Sequence, residues 1–507
     1  MGIFFRFYGL DRSIFWVDEV STAIRVSGFT KETVIREIYK DKTSNLEELQ
    51  FYQISPQNAN FREVFSALSQ SPEHAPLYFI LTRFWVDRVG GTPGAMRSLS
   101  VLFGILAIPC AYALAWELFQ TRLAASFAAV LMAISPFQIG YSQEARPYSL
   151  WTVAVLLSGL FLLRSLKSNS GKDWIGYGLS LTLAWYTSLL SGLMAIAHGL
   201  FVEIFSEEKS PQKHRRHRKF WVAVGASLVL FSPWLLVFLR GWGRFQENTT
   251  WTGDGESWGA IVGIWIYSFI AQFVDLPFPK TPYILVLGSL VALWVLALIG
   301  VSLVWVVRRT SANTRSFILI SMVTPLLILG AIDLLRGGRV SATPRYLVPS
   351  LVMVQMAVAG FLGSGRLDNW KKSVAVMVLV LGIASGIHNL DAVPMYLKGR
   401  NQHNPPIAEI LNDAIDPVLY AEPSQIPDLM SLSHHLDNSV RIDFLTPEAI
   451  DSDIEGFLFN PSPELLEVLQ QESSRSMAEI YQPQLLTPND TYLSLWTVVS
   501  GEPYPQN

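Results

Sequence analysis

Asp18 and Glu19 are adjacent carboxylates whose type and position could do chemistry. They lie within Phe15–Val20, directly after the first apolar segment of the chain. Two neighbouring carboxylates at a membrane boundary cost free energy unless water or cationic partners receive them. A carboxylate held there can take a proton from an acceptor hydroxyl, as a general base does. The simpler interpretation is the solvated start of a loop.

Other unusual polar residues stand in short segments between apolar runs: His74, Gln143, Glu144, Arg146, Arg339 and Arg345. Arginine can hold a phosphate in a bidentate manner and stabilise it as it leaves. Carboxylates and arginines beside a bilayer therefore favour chemistry on a lipid phosphate. Simpler roles are an interfacial ion pair for Glu144 and Arg146, a polar helix start for His74, and an anchor at the lipid headgroups for Arg345.

The elements that position these residues are apolar. Half of the 507 residues are hydrophobic, the mean hydropathy is +0.31, and 16% of the residues are charged, whereas soluble proteins carry about 25%. Several apolar runs approach or exceed the ~18–20 residues that cross a bilayer as a helix. They include Ser98–Phe119, Leu123–Gly140, Phe220–Leu239, Tyr283–Val307, Ser316–Leu335, Leu347–Gly363 and Ser373–Gly386. We predict an all-α polytopic membrane bundle of about eleven helices.

The first apolar segment is short. Met1–Leu10 would rise about 15 Å as a helix, half of a hydrocarbon core. Either the first helix is truncated or it does not span the membrane. We expect a truncated helix, because the alternation of the loops needs a first crossing to place Asp18 outside.

Charges between the runs predict the topology, because Lys and Arg in short loops mark the cytoplasmic side. The strongest cluster is Lys209–Lys219. A nucleic-acid patch is the rival interpretation, but the stretch is short and lies between two spans, so we expect no nucleic-acid partner. Further basic residues that mark the cytoplasmic side are Arg122, Arg164, Lys167, Lys172, Arg308, Arg309, Arg315, Arg366, Lys371 and Lys372.

The complementary loops must face outward. They are residues 11–97, 142–147, 188–191, 240–280 and 336–345. All of the candidate residues fall in these loops, whereas chance would scatter them over both faces. We expect structural roles for Glu117 and Asp333, which stand near span ends.

Two outward loops have internal structure. In the first loop, residues 11–97, Phe61, Val64, Phe65 and Leu68 have the spacing of a helix lying on an apolar surface. The loop at 240–280 contains Trp242, Trp251 and Trp258, which would serve as interfacial anchors or as part of a mobile cover.

The C-terminal segment, residues 391–507, differs in composition from the rest, with 18 acidic residues against four basic ones. Runs typical of strands (418–420, 441–445, 456–459 and 492–499) alternate with runs typical of helices (426–436 and 463–482). We predict a small acidic α/β domain with a mixed sheet on the extracytoplasmic side, following a membrane domain at residues 1–390.

Four motifs together resemble a known superfamily. They are Trp16-Val17-Asp18-Glu19, His74-Ala75-Pro76-Leu77-Tyr78, Gln143-Glu144-Ala145-Arg146-Pro147-Tyr148 and Pro344-Arg345-Tyr346. In this order and sidedness they resemble the GT-C glycosyltransferases. The branch is the family 39-like one, related to dolichyl-phosphate-mannose protein mannosyltransferases and the lipid A aminoarabinose transferase. The resemblance covers roughly residues 1–390.

The resemblance implies a GT-C bundle with an active site on the exterior face and a polyprenyl-phosphate sugar as donor. It implies inverting transfer with Asp18 as the general base, supported by Glu19, while Glu144 orients the acceptor or the base. The residues that would bind substrate are His74, Gln143, Arg146, Tyr148, Arg339, Arg345 and Tyr346. Ala75-Pro76 stands where two prolines are common in the family. No cofactor is required; carboxylate-rich members of the superfamily can bind a divalent metal, but no ligand cluster in this sequence calls for one.

The leading hypothesis is thus a glycosyltransferase in a bacterial inner membrane, acting on a protein, lipid or glycan acceptor. One alternative is a transporter or flippase of lipid-linked saccharides. Such proteins place ionisable residues near the middle of the bilayer and often show repeated halves, whereas the span interiors here are nearly free of charge. The other is a polymerase or ligase of lipid-linked glycans, which would share the exterior arginines.

Overall fold

Helices make up most of the computed structural model. It describes residues 1–40, 42–54, 60–205, 211–253, 255–275, 282–365, 368–390, 399–448, 450, 454–471, 475–483 and 492–500. Lys209 and Arg366, two of the predicted cytoplasmic marks, and residues 391–398, which directly follow the predicted boundary at 390, lie outside these ranges.

The helices and strands follow one another along the chain in a fixed order. From the N-terminus they are α1 Gly2–Phe7, α2 Val17–Val26, α3 Lys31–Tyr39, β1 Thr43–Ser44, α4 Leu46–Phe51, α5 Phe61–Ser69, α6 Leu77–Val89, α7 Pro93–Phe119, α8 Arg122–Ile134, α9 Pro136–Ser142, α10 Tyr148–Ser168, α11 Gly171–Thr187 and α12 Ser191–Phe205. Next come α13 Pro211–Arg240, α14 Trp242–Asn248, α15 Trp258–Ile270, α16 Pro282–Arg309, α17 Ala312–Arg336, α18 Val348–Leu362 and α19 Asn369–His388. The remaining elements are α20 Asn404–Asn412, β2 Val418–Ala421, α21 Ile426–Leu432, β3 Arg441–Phe444, β4 Gly456–Phe459, α22 Pro463–Gln471, β5 Arg475–Tyr481 and β6 Leu495–Ser500.

The chain is a multi-pass membrane protein. Within the described residues, seven helices are long and apolar enough to cross a bilayer, and the bent pair α8 and α9 adds an eighth. The prediction of about eleven spans also counted α1, α11 and α12, which have 6, 17 and 15 residues. Helix length alone does not fix the number of crossings. The apolar helix α15, of 13 residues, lies in the segment predicted as the Trp-rich loop.

The contacts between residues divide the chain into two compact units. The first unit consists of Met1–Leu10, Ser69–Leu81 and Arg97–Ala392, and the second of Asp11–Leu68, Thr82–Met96 and Val393–Asn507. The second unit therefore takes in most of the first predicted loop as well as the acidic tail. The predicted division at residues 390 and 391 stays a prediction.

A six-stranded mixed sheet organises the second unit. Its strand order is β1-β3-β2-β4-β6-β5. The central strands β3, β2 and β4 are parallel, and β1, β6 and β5 join in antiparallel fashion. The edge strand β1 comes from the first loop and pairs Ser44 with Ile442. The mixed sheet that we predict for the tail is therefore present, and the first loop adds one strand, β1, to it.

One predicted helix in the tail is only half correct. The helix expected over residues 463–482 ends as α22 at Gln471, and Arg475–Tyr481 forms β5. Met477, Ala478 and Glu479 favour helices locally. Their pairing with β6 decides the conformation, because strand formation depends on cross-strand neighbours more than on intrinsic preference.

Candidate active site

The Glu144 motif lies in the turn that follows a broken membrane helix. Helices α8 and α9 meet at a 54° bend, where Ser135 caps α9 by accepting from the Gln138 backbone N–H and Pro136 takes the first helical position. The chain then turns tightly, with the Arg146 N–H donating to the Glu144 carbonyl oxygen at 2.7 Å. The side chains of Glu144 and Arg146 are 0% and 5% exposed. The turn between α9 and α10 therefore holds a carboxylate and a guanidinium in a buried position.

Gln143 attaches this turn to the start of the chain. Its side-chain amide nitrogen donates to the carbonyl oxygens of Phe5 and Tyr8, at 2.8 and 2.9 Å. Arg6, fully buried, donates to the carbonyl oxygens of Gly2, Met132 and Ala133. The Gln143 amide thus holds the turn against the N-terminal segment. The sequence predicts Gln143 only as a substrate-binding residue and gives no sign of this structural role.

Arg146 and Arg345 share one aromatic neighbour. Each guanidinium carbon lies 5.8 Å from the ring centre of Tyr148, and Arg345 also lies 5.7 Å from the ring centre of Tyr346. Tyr148 opens α10 and is 7% exposed. The second and the last predicted outward loops therefore meet at this ring, and they bring two cations together.

The loop that carries Arg345 is organised by Asp333. This buried carboxylate near the end of α17 accepts from the backbone N–H groups of Val340 and Ser341, at 2.6 and 2.7 Å, and from the Ser341 hydroxyl at 2.5 Å. Gly337 ends the helix with φ of +70°, a conformation that glycine adopts without strain. The sequence predicts a structural role for Asp333. In the structure, its carboxylate fixes the path of the chain from α17 towards Arg345.

Arg339 packs against the Trp-rich segment. Its backbone N–H donates to the Thr252 carbonyl oxygen at 2.9 Å, and its Nε donates to the Trp251 carbonyl oxygen at 3.3 Å. The guanidinium carbon lies 5.9 Å from the Trp251 ring centre. Arg339 therefore joins two segments that the sequence predicts to face outward, and it contacts Trp251, whereas Arg345 lies beside Tyr148 and Tyr346.

The His74 motif reaches Arg146 through a hydroxyl pair. The Tyr78 hydroxyl lies 2.7 Å from that of Ser100, which donates to the Arg146 carbonyl oxygen at 3.3 Å. His74 is 3.6 Å from the carboxylate of Glu73. Sequence reasoning missed Ser100, because a lone serine inside an apolar run gives no signal of its own.

Asp18 and Glu19 occupy the first turn of α2, in the second unit. Glu19 is fully buried and Asp18 is half-buried. The positive end of the helix dipole stabilises carboxylates in this turn. Their predicted convergence with Glu144, Arg146 and Arg345, which belong to the first unit, stays a prediction.

Among the described residues, no group of three or more His, Cys, Asp or Glu side chains could hold a metal ion. The chemistry available to the site residues is proton transfer at carboxylates and anion binding at arginines.

A family model matches the middle of the chain. Residues 73–237 match the family described as dolichyl-phosphate-mannose-protein mannosyltransferase. This range contains His74, Tyr78, Glu144, Arg146 and Tyr148. No curated protein sequence matches the chain significantly.

Two kinds of solved structure are similar to the chain. The oligosaccharyltransferase of Archaeoglobus fulgidus, in its apo form, shares 14% identity over 72% of this chain and 56% of that protein, with a TM-score of 0.41. The chain thus spans little more than half the length of that enzyme. ArnT from Cupriavidus metallidurans, bound to undecaprenyl phosphate, shares 16% identity over 85% of this chain and 90% of that protein, with a TM-score of 0.33.

The family match covers two of the four motifs in full. It supports glycosyltransferase activity in general. The resemblance that the sequence motifs indicate is confirmed: this chain is related to the GT-C superfamily of glycosyltransferases, through the branch of the dolichyl-phosphate-mannose-protein mannosyltransferases.

Proposed function

We propose that this protein transfers a sugar from a polyprenyl-phosphate donor to an acceptor on the extracytoplasmic face of the membrane, with inversion at the sugar. The pairing of Arg146 and Arg345 on the Tyr148 ring is the observation that carries the proposal. Two guanidinium groups beside one ring would both attract an anion that is bound there. A phosphate group has the charge and the oxygen acceptors for such a place.

The reaction is a single displacement. The acceptor oxygen attacks the anomeric carbon, and the bond from that carbon to the phosphate oxygen breaks. The electron pair leaves with the polyprenyl phosphate, while the acceptor proton passes to Asp18. The phosphate gains one negative charge, because a diester becomes a monoester. Arginines that bind the phosphate stabilise that developing charge more than the charge of the bound donor, which is how electrostatic catalysis lowers a barrier.

Glu144 has a second role in this proposal. It is fully buried in the same turn as Arg146 and would orient the acceptor hydroxyl or the base. His74, Tyr346 and Arg339 would complete the substrate-binding surface, with Arg339 acting through the Trp251 segment that it contacts.

The distribution of charge along α10 supports the proposal that the two arginines lie on the extracytoplasmic side. This helix has 21 residues, about 31 Å, enough to cross a hydrocarbon core. It begins at Tyr148 beside the two arginines, and near its other end Lys167 and Arg164 lie 3.3 and 3.8 Å from the Glu117 carboxylate. Since Lys and Arg in short loops mark the cytoplasmic side, the Tyr148 end would face outward. An extracytoplasmic location of the acidic C-terminal segment is a separate part of the proposal, made from the sequence alone. A bacterial inner membrane is the compartment that we propose.

The test is a transfer assay in membrane vesicles. Polyprenyl-phosphate hexoses and pentoses are supplied one at a time, and mass spectrometry follows free polyprenyl phosphate and newly glycosylated products, with and without the gene. We expect one donor to be consumed with release of polyprenyl phosphate only when the protein is present. Movement of an intact lipid-linked sugar across the membrane would instead identify a flippase. Growth of a lipid-linked glycan in blocks would identify a polymerase or ligase.

A further inference from the structure

The backbone just before Asp18 is held by residues of the acidic tail, within the second unit. The Ser431 hydroxyl donates to the Phe15 carbonyl oxygen at 2.6 Å, and the Val17 N–H donates to the Asn401 side-chain oxygen at 3.0 Å. The residues on both sides of Trp16 are therefore fixed by residues 416 and 384 positions away in the sequence.

Asn401 is itself fixed in orientation. Its amide nitrogen donates to the Asp428 carboxylate at 2.9 Å, and Arg400 donates to the same carboxylate at 3.2 and 2.5 Å. Asn401 and Asp428 are both fully buried. Because a carboxylate only accepts hydrogen bonds, the amide nitrogen of Asn401 must face Asp428 and its oxygen must face Val17.

This contact caps the helix that carries the carboxylate pair. The first backbone N–H groups of a helix have no partner inside it, and Trp16, the N-cap residue of α2, makes no side-chain cap. Asn401 supplies an acceptor to Val17, the first helical residue, from another part of the chain. The start of α2, and with it the position of Asp18 one residue later, depends on this acceptor.

Further contacts join the tail to the first loop. All seven residues of α21 are buried. The amide nitrogen of Gln53 donates to the Met430 carbonyl oxygen at 3.0 Å, and that of Gln50 donates to the Ser433 carbonyl oxygen at 2.9 Å. The first loop thus contacts α21 and its C-terminal end through the Phe15 carbonyl oxygen and through the side chains of Gln50 and Gln53.

We propose that Asn401 is a positioning residue for Asp18, and that the acidic tail thereby contributes to the placement of the general base. The proposal rests on the function proposed above, in which Asp18 is the general base. Asn401 reaches the reaction only through α2, so its loss should lower turnover without weakening the hold of Arg146 and Arg345 on the donor.

The main variant is Asn401→Ala, and Asn412→Ala is its matched control. Asn412 lies in the same unit and also makes two hydrogen bonds, to the His435 carbonyl oxygen and from the Asp437 N–H, but it contacts neither α2 nor Asp428 in those bonds. We expect Asn401→Ala to lower kcat about tenfold or more, the scale of loss when a reacting group is displaced by a fraction of an ångström to 1 Å. The KM for the donor should stay within about twofold of the control variant.

A paired exchange tests rescue. Asn401→Asp alone sets two carboxylates 2.9 Å apart and should be at least as damaging as Asn401→Ala. Combining it with Asp428→Asn returns one carboxylate and one amide to the pair, keeps an acceptor for Val17 and preserves the net charge of the pair, while Arg400 then faces an amide instead of the Asp428 carboxylate. We expect the double variant to recover part of the turnover that Asn401→Asp loses.

Hydrogen exchange at the full-length protein provides a readout that does not depend on activity. Asn401→Ala should speed amide exchange in residues 17–20 relative to Asn412→Ala, while strands β2 and β4 keep their protection. Unchanged exchange there, or a loss of kcat no larger than in Asn412→Ala, overturns the proposal. If Asp18→Asn retains full activity, the function assigned to Asp18 fails instead, and the exchange result still decides whether Asn401 fixes the start of α2.

Discussion

Arg146 and Arg345 face the same ring from different parts of the chain, each with its guanidinium carbon 5.8 Å from the centre of Tyr148. Arg146 comes from the turn after α9, and Arg345 from the loop that Asp333 organises after α17. The Tyr78–Ser100 hydroxyl pair adds a contact to the Arg146 backbone. Three of the four sequence motifs therefore converge within the first unit, where two guanidinium groups lie beside one ring.

Replacing Arg345 should weaken donor binding. A hydrogen bond to a charged group contributes about 1.5–3 kcal/mol, so we expect Arg345→Ala to raise the Kd for a polyprenyl-phosphate sugar roughly 10- to 100-fold. Turnover at saturating donor should fall less. Equilibrium binding of a labelled donor to the purified protein measures the effect.

Arg336→Ala is the matched control for this change. Arg336 is an exposed arginine at the end of α17, close in sequence to the same loop. Equal donor affinities in the two variants would remove Arg345 from the proposed phosphate site.

Replacing Asp18 should stop transfer and leave binding intact. Loss of a general base lowers rates about 10²- to 10⁴-fold, and Asp18→Asn keeps nearly the same shape without the basic oxygen. We expect loss of turnover with donor affinity within about twofold of the wild type. Glu32→Gln, at an exposed position on α3 of the same unit, should leave both quantities unchanged. Full turnover in Asp18→Asn would require another base.

Residue type was sufficient to find much of the candidate site. Arg146 and Arg345 could be selected because guanidinium groups in loops predicted to face outward run against the usual charge bias. Tyr148 could be selected because it belongs to a motif that resembles a known family, and the structure brings the three residues together. Asn401 and Ser100 could not be selected. Their partners are a backbone N–H and a backbone carbonyl oxygen far away in sequence, and such pairings arise only from the tertiary fold.

In the fold, too, some elements can be predicted from the sequence and others cannot. Apolar run length predicts the long spans α7, α10, α13 and α16–α19 because a bilayer requires about 20 apolar residues. It does not predict β5, where locally helical residues join the edge of a sheet, or β1, whose partner β3 lies in the tail. Long-range strand pairing determines both of these elements.

Removing the Gln143 amide should destabilise the first unit. Its nitrogen makes two hydrogen bonds to the Phe5 and Tyr8 carbonyl oxygens, and each such bond contributes about 1 kcal/mol net. We expect Gln143→Ala to lower the free energy of unfolding in detergent by about 1–3 kcal/mol. Gln120→Ala, which removes only local contacts of an exposed side chain with Trp116 and Glu117, should change it by less than about 0.5 kcal/mol. Equal effects would mean that the attachment of the N-terminal segment contributes nothing to stability.

Asp333 should act on donor binding through the loop that it holds. Its carboxylate accepts from three donors on Val340 and Ser341, so Asp333→Asn leaves an amide group facing N–H donors. We expect that variant to raise the donor KM about tenfold, because Arg345 loses its fixed approach to Tyr148. Ser341→Ala removes only the hydroxyl donor and should have a smaller effect in the same direction.

Glu117→Gln is the control for this series. Glu117 is also an acidic residue near a span end, but it pairs with Arg164 and Lys167 at the opposite end of α10 from Tyr148. A graded rise in donor KM from Ser341→Ala to Asp333→Asn, with none in Glu117→Gln, would show that the loop geometry matters. A uniform loss of folded protein in all three variants would instead mean that Asp333 acts on stability alone and that the position of Arg345 does not depend on it.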